Sequence, residues 1–218
     1  HGLTFFEKHI ENFTDSEKEK FINVLLKKDL PQAFQLIEKL IKQNNLTNSS
    51  LQTIIHKIQL AIVTNKVAFY EDAEKLYTVM LEHCDAKQDK SLNVSLAQIG
   101  QALFEKTKRL NLLEKINAFK LLDQVKIERK TEFWIHLASS CLKENWELSL
   151  QILKLAPSLA SDFDKGKVLY KSLLDHFCDS EQVEIFKTFL TIIPATYYQT
   201  FINDINEKIL NFYPEILK

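Results

Sequence analysis

Apolar residues recur along this chain mostly at steps of three and four, the interval that stacks side chains on one helix face. The sharpest case is Tyr70–Leu81, where small Ala73 sits between Tyr70, Tyr77 and Met80. Ahead of it, a short helix is predicted over Leu3–Phe13 with Phe5, Phe6 and Ile10 inward. Thr14 with Glu17 three residues on makes a capping box that opens a helix to about Lys28. Asp29-Leu30-Pro31 breaks this helix and starts another, since proline is tolerated in a first turn. The new helix carries the stripe Ala33, Phe34, Leu36, Ile37, Leu40 and Ile41.

Asn44–Ser50 reads as a polar loop, followed by a helix over about Leu51–Asn65 with Ile54, Ile55, Ile58, Ala61 and Ile62 inward. It pairs with the helix from Tyr70, which ends near Cys84 before a second polar connection, Asp85–Asp89. A third hairpin is predicted over Leu92–Lys108 and Asn111–Glu128, turning near Leu110. Leu112, Leu113, Ile116, Phe119, Leu121 and Leu122 make its second helix apolar on more than one side, as suits a helix covered on both flanks. A shorter pair spans Thr131–Lys143 and Trp146–Ala156, stopped by Pro157. Lys167–Phe177, a helix opened by Asp179 with Gln182 and ended by Pro194, and a last helix over Thr196–Phe212 complete the chain. The prediction is an all-α protein of stacked antiparallel helical hairpins, about twelve helices with no strand, in one domain over residues 1–218 with a weak division near 129–131.

Glycine supports this and removes several chemistries. Gly2, Gly100 and Gly166 are the only three, too scattered for a phosphate-cradling loop, so a nucleotide fingerprint and a serine nucleophile elbow are both excluded. With only four prolines, turn formers are too few for an all-β chain. Lys+Arg 28 against Asp+Glu 29 leaves a net charge of −1, and Arg109 and Arg129 are the only arginines. Neither a global field nor bidentate guanidinium contacts point to nucleic acid. Over one hairpin, however, Lys106, Lys108, Arg109, Lys115, Lys120, Lys126, Arg129 and Lys130 outnumber Glu105, Glu114, Asp123 and Glu128. That is either a solvated lysine-rich face or a docking patch for an acidic partner or RNA.

Cys84, Cys141 and Cys178 are odd in number and share no framework spacing, which predicts reduced thiols and a cytoplasmic protein. Sequons at Asn12, Asn45, Asn48 and Asn93 are the counter-signal for secretion. No apolar run reaches the ~18–20 residues of a membrane span. The chain opens His1-Gly2 without methionine, which reads as a tag remnant on a piece of a longer protein. The pairs His83–Cys84, His176–Cys178 and His136–Cys141 lie one, two and five residues apart, roughly 100°, 160° and 140° round a helix, so none is a local dyad. Asp175 with Asp179, and Asp85 with Asp89, have a carboxylate spacing that also occurs on solvated helix ends; no metal or cofactor is predicted.

The second-helix anchors Ala33, Ala73, Ala118 and Ser149 lie 40, 45 and 31 residues apart. Tyr70-x-x-Ala73-x-x-x-Tyr77 resembles the second helix of a tetratricopeptide (TPR) repeat, with Ala61 where that family has its small first-helix residue. Trp134-x-x-Leu137-Ala138, followed by Asn145-Trp146-x-x-Ser149 and Pro157, is a second partial match whose second helix begins one residue early. Around Ala33 only Asp29–Ala33 fits, with Phe21 in place of a small residue, and near Ala118 the loop is too long. An irregular helical bundle of amphipathic hairpins would share much of this pattern.

The resemblance implies an α-solenoid whose first helices line a groove for a protein or peptide partner. Its groove positions fall on Ile58, Ile62, Asn65 and Lys66, and on Glu132, Ile135, Ser139 and Lys143. An Asn amide can clamp a peptide backbone and a Lys can pair with a carboxylate. The leading expectation is therefore a non-catalytic interaction module, an adaptor or scaffold. The alternatives are a ligand- or peptide-sensing domain of a larger bacterial regulator, and an effector enzyme with a tertiary His/Cys site. Adjacent Tyr197 and Tyr198 cannot both face inward, so the last helix could present a capping contact, a partner surface or a homodimer seam.

Overall fold

The computed structural model describes residues 6, 8–64, 69–84, 89–156 and 164–217, with only the backbone of Cys84. They form twelve α-helices, and no strand occurs among them: α1 Asp15–Lys28, α2 Leu30–Lys42, α3 Asn48–Thr64, α4 Tyr70–Cys84, α5 Lys90–Thr107, α6 Asn111–Ala118, α7 Ile127–Leu142, α8 Trp146–Leu155, α9 Asp164–His176, α10 Val183–Ile192, α11 Ala195–Thr200 and α12 Ile202–Phe212. The chain divides into two compact units, His1–Gln124 and Val125–Lys218.

Local chemistry sets most boundaries. The Thr14 hydroxyl accepts from the Glu17 amide at 3.4 Å, and the Glu17 carboxylate accepts from the Thr14 amide at 2.8 Å, closing the predicted capping box. Asp29 ends α1 and caps α2, accepting from the Gln32 amide, with Pro31 in the first turn. The α2 stripe Ala33, Phe34, Leu36, Ile37, Leu40 and Ile41 is wholly buried. Asp89 caps α5 and Asn145 caps α8.

Several elements differ from the prediction. The helix predicted over Asn111–Glu128 stops at Ala118, because Lys120 takes a left-handed conformation (φ 52). The Leu121 amide then bonds the Ile116 carbonyl and the Lys120 amide bonds the Asn117 carbonyl, a Schellman ending with Ile116 and Leu121 both buried. Leu121 and Leu122 pack from a turn, which explains why the segment looked apolar on several sides. Ala118 is exposed and anchors nothing, whereas Ala33, Ala73 and Ser149 are buried. The last predicted helix is interrupted at Phe201 into α11 and α12. Asp179 caps a single 3-10 turn, Ser180–Gln182, before α10, and the Gln182 side chain accepts from the Cys178 amide instead of completing a box. Near the N-terminus Phe6 and Lys8 are helical and a 3-10 turn follows at Ile10–Asn12; Phe6 and Ile10 are buried, and Leu3, Phe5 and Glu7 lie outside the described residues.

In the first unit α1 packs on α2 and α3, α2 on α4, α3 on α5, and α5 on α4 and α6. Polar tethers give the direction of these contacts. The Asp15 carboxylate in the first turn of α1 accepts from the Thr47 amide (3.3 Å), the Thr47 hydroxyl (2.7 Å) and the Ser50 hydroxyl (3.2 Å) at the start of α3. The Gln52 amide donates to the Ser91 hydroxyl at the start of α5. Helices α1, α3 and α5 therefore run side by side in one direction. On the other side, Arg109 reaches both Glu74 carboxylate oxygens at 3.1 Å and Lys115 donates to the Thr78 hydroxyl at 2.6 Å, tying α6 to α4.

Gly100 of α5 packs directly against the Tyr77 side chain of α4. A Cβ on Gly100 would fall 2.5 Å from the Tyr77 hydroxyl oxygen, so only glycine fits there without displacement. That hydroxyl is buried with no hydrogen-bond partner among the described residues. Tyr70, Ala73, Leu76, Met80 and Leu81 complete the buried face of α4.

In the second unit α7 packs most extensively on α8, α9 on both, α10 on α8, and α11 on α12. Aromatic rings fill its core: Phe177 lies 5.0 Å from Phe186 and 5.3 Å from Phe189, Tyr213 stacks on Phe186 at 4.6 Å, and Tyr170 meets Tyr197 at 5.5 Å. Burial pushes the Tyr170 phenol, like that of Tyr77, well above the ordinary tyrosine value. No described helix is long and apolar enough to cross a membrane.

Candidate interaction surface

The row α1, α3, α5 has one uncovered side. On α3 the buried residues Leu51, Ile54, Ile55, Ile58, Ala61 and Ile62 form the inward face. The opposite face carries His56, Leu60, Val63 and Thr64, with Leu60 60% and Val63 49% exposed. On α1 the matching face is Lys20, Val24, Lys27 and Lys28, Val24 being 48% exposed. Gln98 and Glu105 are exposed on α5, where the Gln101 amide donates to the Glu105 carboxylate at 2.9 Å. Helix directions place Val24 beside the C-terminal half of α3, because Asp15 is level with Ser50. At this level Val24 on α1 and Leu60 and Val63 on α3 are exposed aliphatic side chains of two helices that pack on each other.

The positions that the resemblance assigned to a groove are distributed unevenly. Ile58 and Ile62 are 1% and 3% exposed and pack in the core of the first unit. Asn65 and Lys66 lie outside the described residues. In the second unit Glu132, Ser139 and Lys143 share one solvent face of α7 with His136, at steps of three and four, while Ile135 is buried. Leu60 and Val63 were missed. The signal was available, since a step of two from Ile58 puts Leu60 about 160° round the helix from the core stripe.

The His/Cys pairs do not converge into a dyad among the described residues. Cys141 is buried and His136 exposed; the exposed Cys178 thiol donates at 3.6 Å to the His176 backbone carbonyl, while the His176 ring stacks on Trp146 at 5.6 Å. His83 is half-buried at the end of α4, and the Cys84 side chain lies outside the described residues. No group of three or more metal-ligating side chains occurs among the described residues. The basic hairpin is split between the units, and Arg109 and Lys115 are engaged with α4. Tyr197 is buried and Tyr198 half-buried, the inequality that their adjacency requires. A shallow groove of about 250 Å³ runs between α8 and α10, with Leu150 and Ile185 in its lining and Glu147, Lys154 and Glu184 among its charged groups.

Compared with known proteins, the chain matches no family model, no curated protein and no solved structure.

Proposed function

We propose that this chain is a protein- or peptide-binding helical-repeat module, its first unit a TPR-like stack of antiparallel hairpins. The observation that carries the reading is the uncovered side of α1, α3 and α5, with exposed Leu60 and Val63 at its centre. Packing of each helix on the next but one supports the stack: α1 with α3, α2 with α4, α3 with α5. Burial of Ala61, Tyr70, Ala73 and Tyr77, the residues of the best repeat match, supports it as well. Stacked hairpins bury their flanks against one another and leave one face of each first helix to solvent, which is where such proteins bind partners.

Affinity capture from extract of the cells that make the protein tests this. Wild type is compared with Leu60→Asp/Val63→Asp, and with Leu210→Asp on α12 as a control for an exposed leucine elsewhere. The expected result is a partner retained by wild type and Leu210→Asp and lost by the double variant, all three having the same circular dichroism. Equal retention by all three would overturn the assignment of this face.

A further inference from the structure

The face just described has an uneven charge as well as an apolar centre. Helix α3 contains no Asp or Glu in its 17 residues. Helix α5 has one acid, Glu105, at its far end and already accepting from Gln101. On the exposed face of α1 the one carboxylate, Glu17, accepts from Thr14 in the capping box and attracts Lys20 one turn further on. The centre therefore presents Lys27 and His56 around Val24, Leu60 and Val63, with Lys20 beside Glu17 toward the start of α1. On the same unit Lys42 pairs with Glu38 and Lys75 with Asp72. Lys27 has no ion-pair partner among the described residues.

We infer that this face takes an acidic amphipathic helix, an inference that rests on its being the interaction surface. Packed helix axes lie about 8–10 Å apart, so Val24 on α1 and Leu60 on α3 are separated by about the reach of two apolar side chains at i and i+4 or i+7 on a docked helix. Carboxylates flanking that apolar stripe meet Lys20 and Lys27. A basic amphipathic helix of the same shape would oppose lysine with lysine.

Fluorescence anisotropy with three labelled 18-residue peptides on the full chain tests the inference. One is an acidic amphipathic Leu/Glu helix, one replaces each Glu with Lys, and one scrambles the acidic peptide to remove its apolar stripe. The acidic helix is expected to bind and the other two to bind at least tenfold more weakly. Reversing two exposed pairs in Lys20→Glu/Lys27→Glu should weaken the acidic peptide about tenfold and improve the lysine peptide, with the contrast shrinking at high salt. Lys167→Glu, on the exposed face of α9, should change neither, and Lys143→Glu tests the alternative site at the end of α7. Retained far-UV circular dichroism excludes unfolding of α1 as the cause. Binding of the lysine peptide equal to the acidic one would overturn the inference. So would loss of binding through Lys143→Glu alone, although the module reading would then survive with its site moved to α7. Failure of all three peptides to bind would overturn the inference and leave the cell-extract capture to judge the broader reading.

Discussion

Tyr77 and Gly100 make the most demanding test of the packing. Replacing Tyr77 with Phe removes one oxygen, which is buried and has no hydrogen-bond partner among the described residues. An unsatisfied buried hydroxyl costs about 1–3 kcal/mol, and the ring stays in place, so Tyr77→Phe should stabilise by about 1 kcal/mol. Gly100→Ala has two opposed effects. Alanine is favoured over glycine in a helix interior by about 1 kcal/mol. Its methyl, however, would lie 2.5 Å from the Tyr77 oxygen and 3.1 and 3.2 Å from Tyr77 Cζ and Ile116 Cδ1. Overpacking of this kind costs about 1–3 kcal/mol, so the single variant should be destabilised by about 1 kcal/mol. In a Tyr77→Phe background the 2.5 Å contact no longer exists. Only the two milder contacts remain, and Gly100→Ala should then be close to neutral. The double-mutant cycle should give a favourable coupling of about 1 kcal/mol. Urea titrations followed by far-UV circular dichroism would measure it, with thermal midpoints moving about 2–4 °C per kcal/mol in a chain of this size. Loss of stability in Tyr77→Phe, or an unchanged Gly100→Ala penalty in its background, would refute the account of the α4–α5 contact.

Three further predictions concern single sites. Ser149 is buried on α8 with an unpartnered hydroxyl, at a position equivalent in the pattern to Ala33 and Ala73; Ser149→Ala should stabilise by about 1 kcal/mol in the same titrations. Lys120 is left-handed at φ 52 in the Schellman ending of α6, so Lys120→Gly should stabilise by about 0.5–1 kcal/mol, whereas Asn44, at φ 53 after α2, should gain less from the same change. Hydrogen bonds from Thr47 hold the Asp15 carboxyl below its ordinary value, with Ser50 and Lys18 adding to the effect and burial opposing it. Its folded value is depressed, so its contribution is present above about pH 4 and is lost as pH falls through the folded value. Asp15→Ala should cost about 1–2 kcal/mol at pH 7, the low end for hydrogen bonds to a partly exposed charge, and should flatten the acid limb of stability against pH.

Much of the fold was legible because helices announce themselves locally. The α2 stripe repeats at the helical period without interruption, Thr14 with Glu17 and Asp29 with Pro31 mark helix starts, and all of these read directly. What did not read are features set by tertiary contact. Lys120 gives no glycine-like stop signal, so α6 was drawn too long; the turn holds because Leu121 buries against the end of the helix. Asp15 looks like an ordinary first-turn acid, yet it ties α1 to α3 across more than thirty residues. Phe201 interrupts a helix that has no proline or glycine within it.

The proposed binding face was half legible. The repeat pattern singled out α3 and α7, and it placed Glu132, Ser139 and Lys143 where solvent reaches them. On α3 it chose Ile58 and Ile62, which the core holds, because the resemblance is degenerate and a family position is only a register. The outward Leu60 and Val63 follow from the helical period once the core stripe is fixed.

The measurement closest to the central claim is site-specific photo-crosslinking. Benzoylphenylalanine is placed at position 60, and in a second variant at position 168, where an equally exposed Val168 lies on α9. In extract of the producing cells, the label at 60 should trap a discrete partner band that the label at 168 does not, and the acidic amphipathic peptide should compete it away. Adducts of equal yield at both positions, or none at 60 with a clear band at 168, would contradict the assignment of the α1–α3–α5 face.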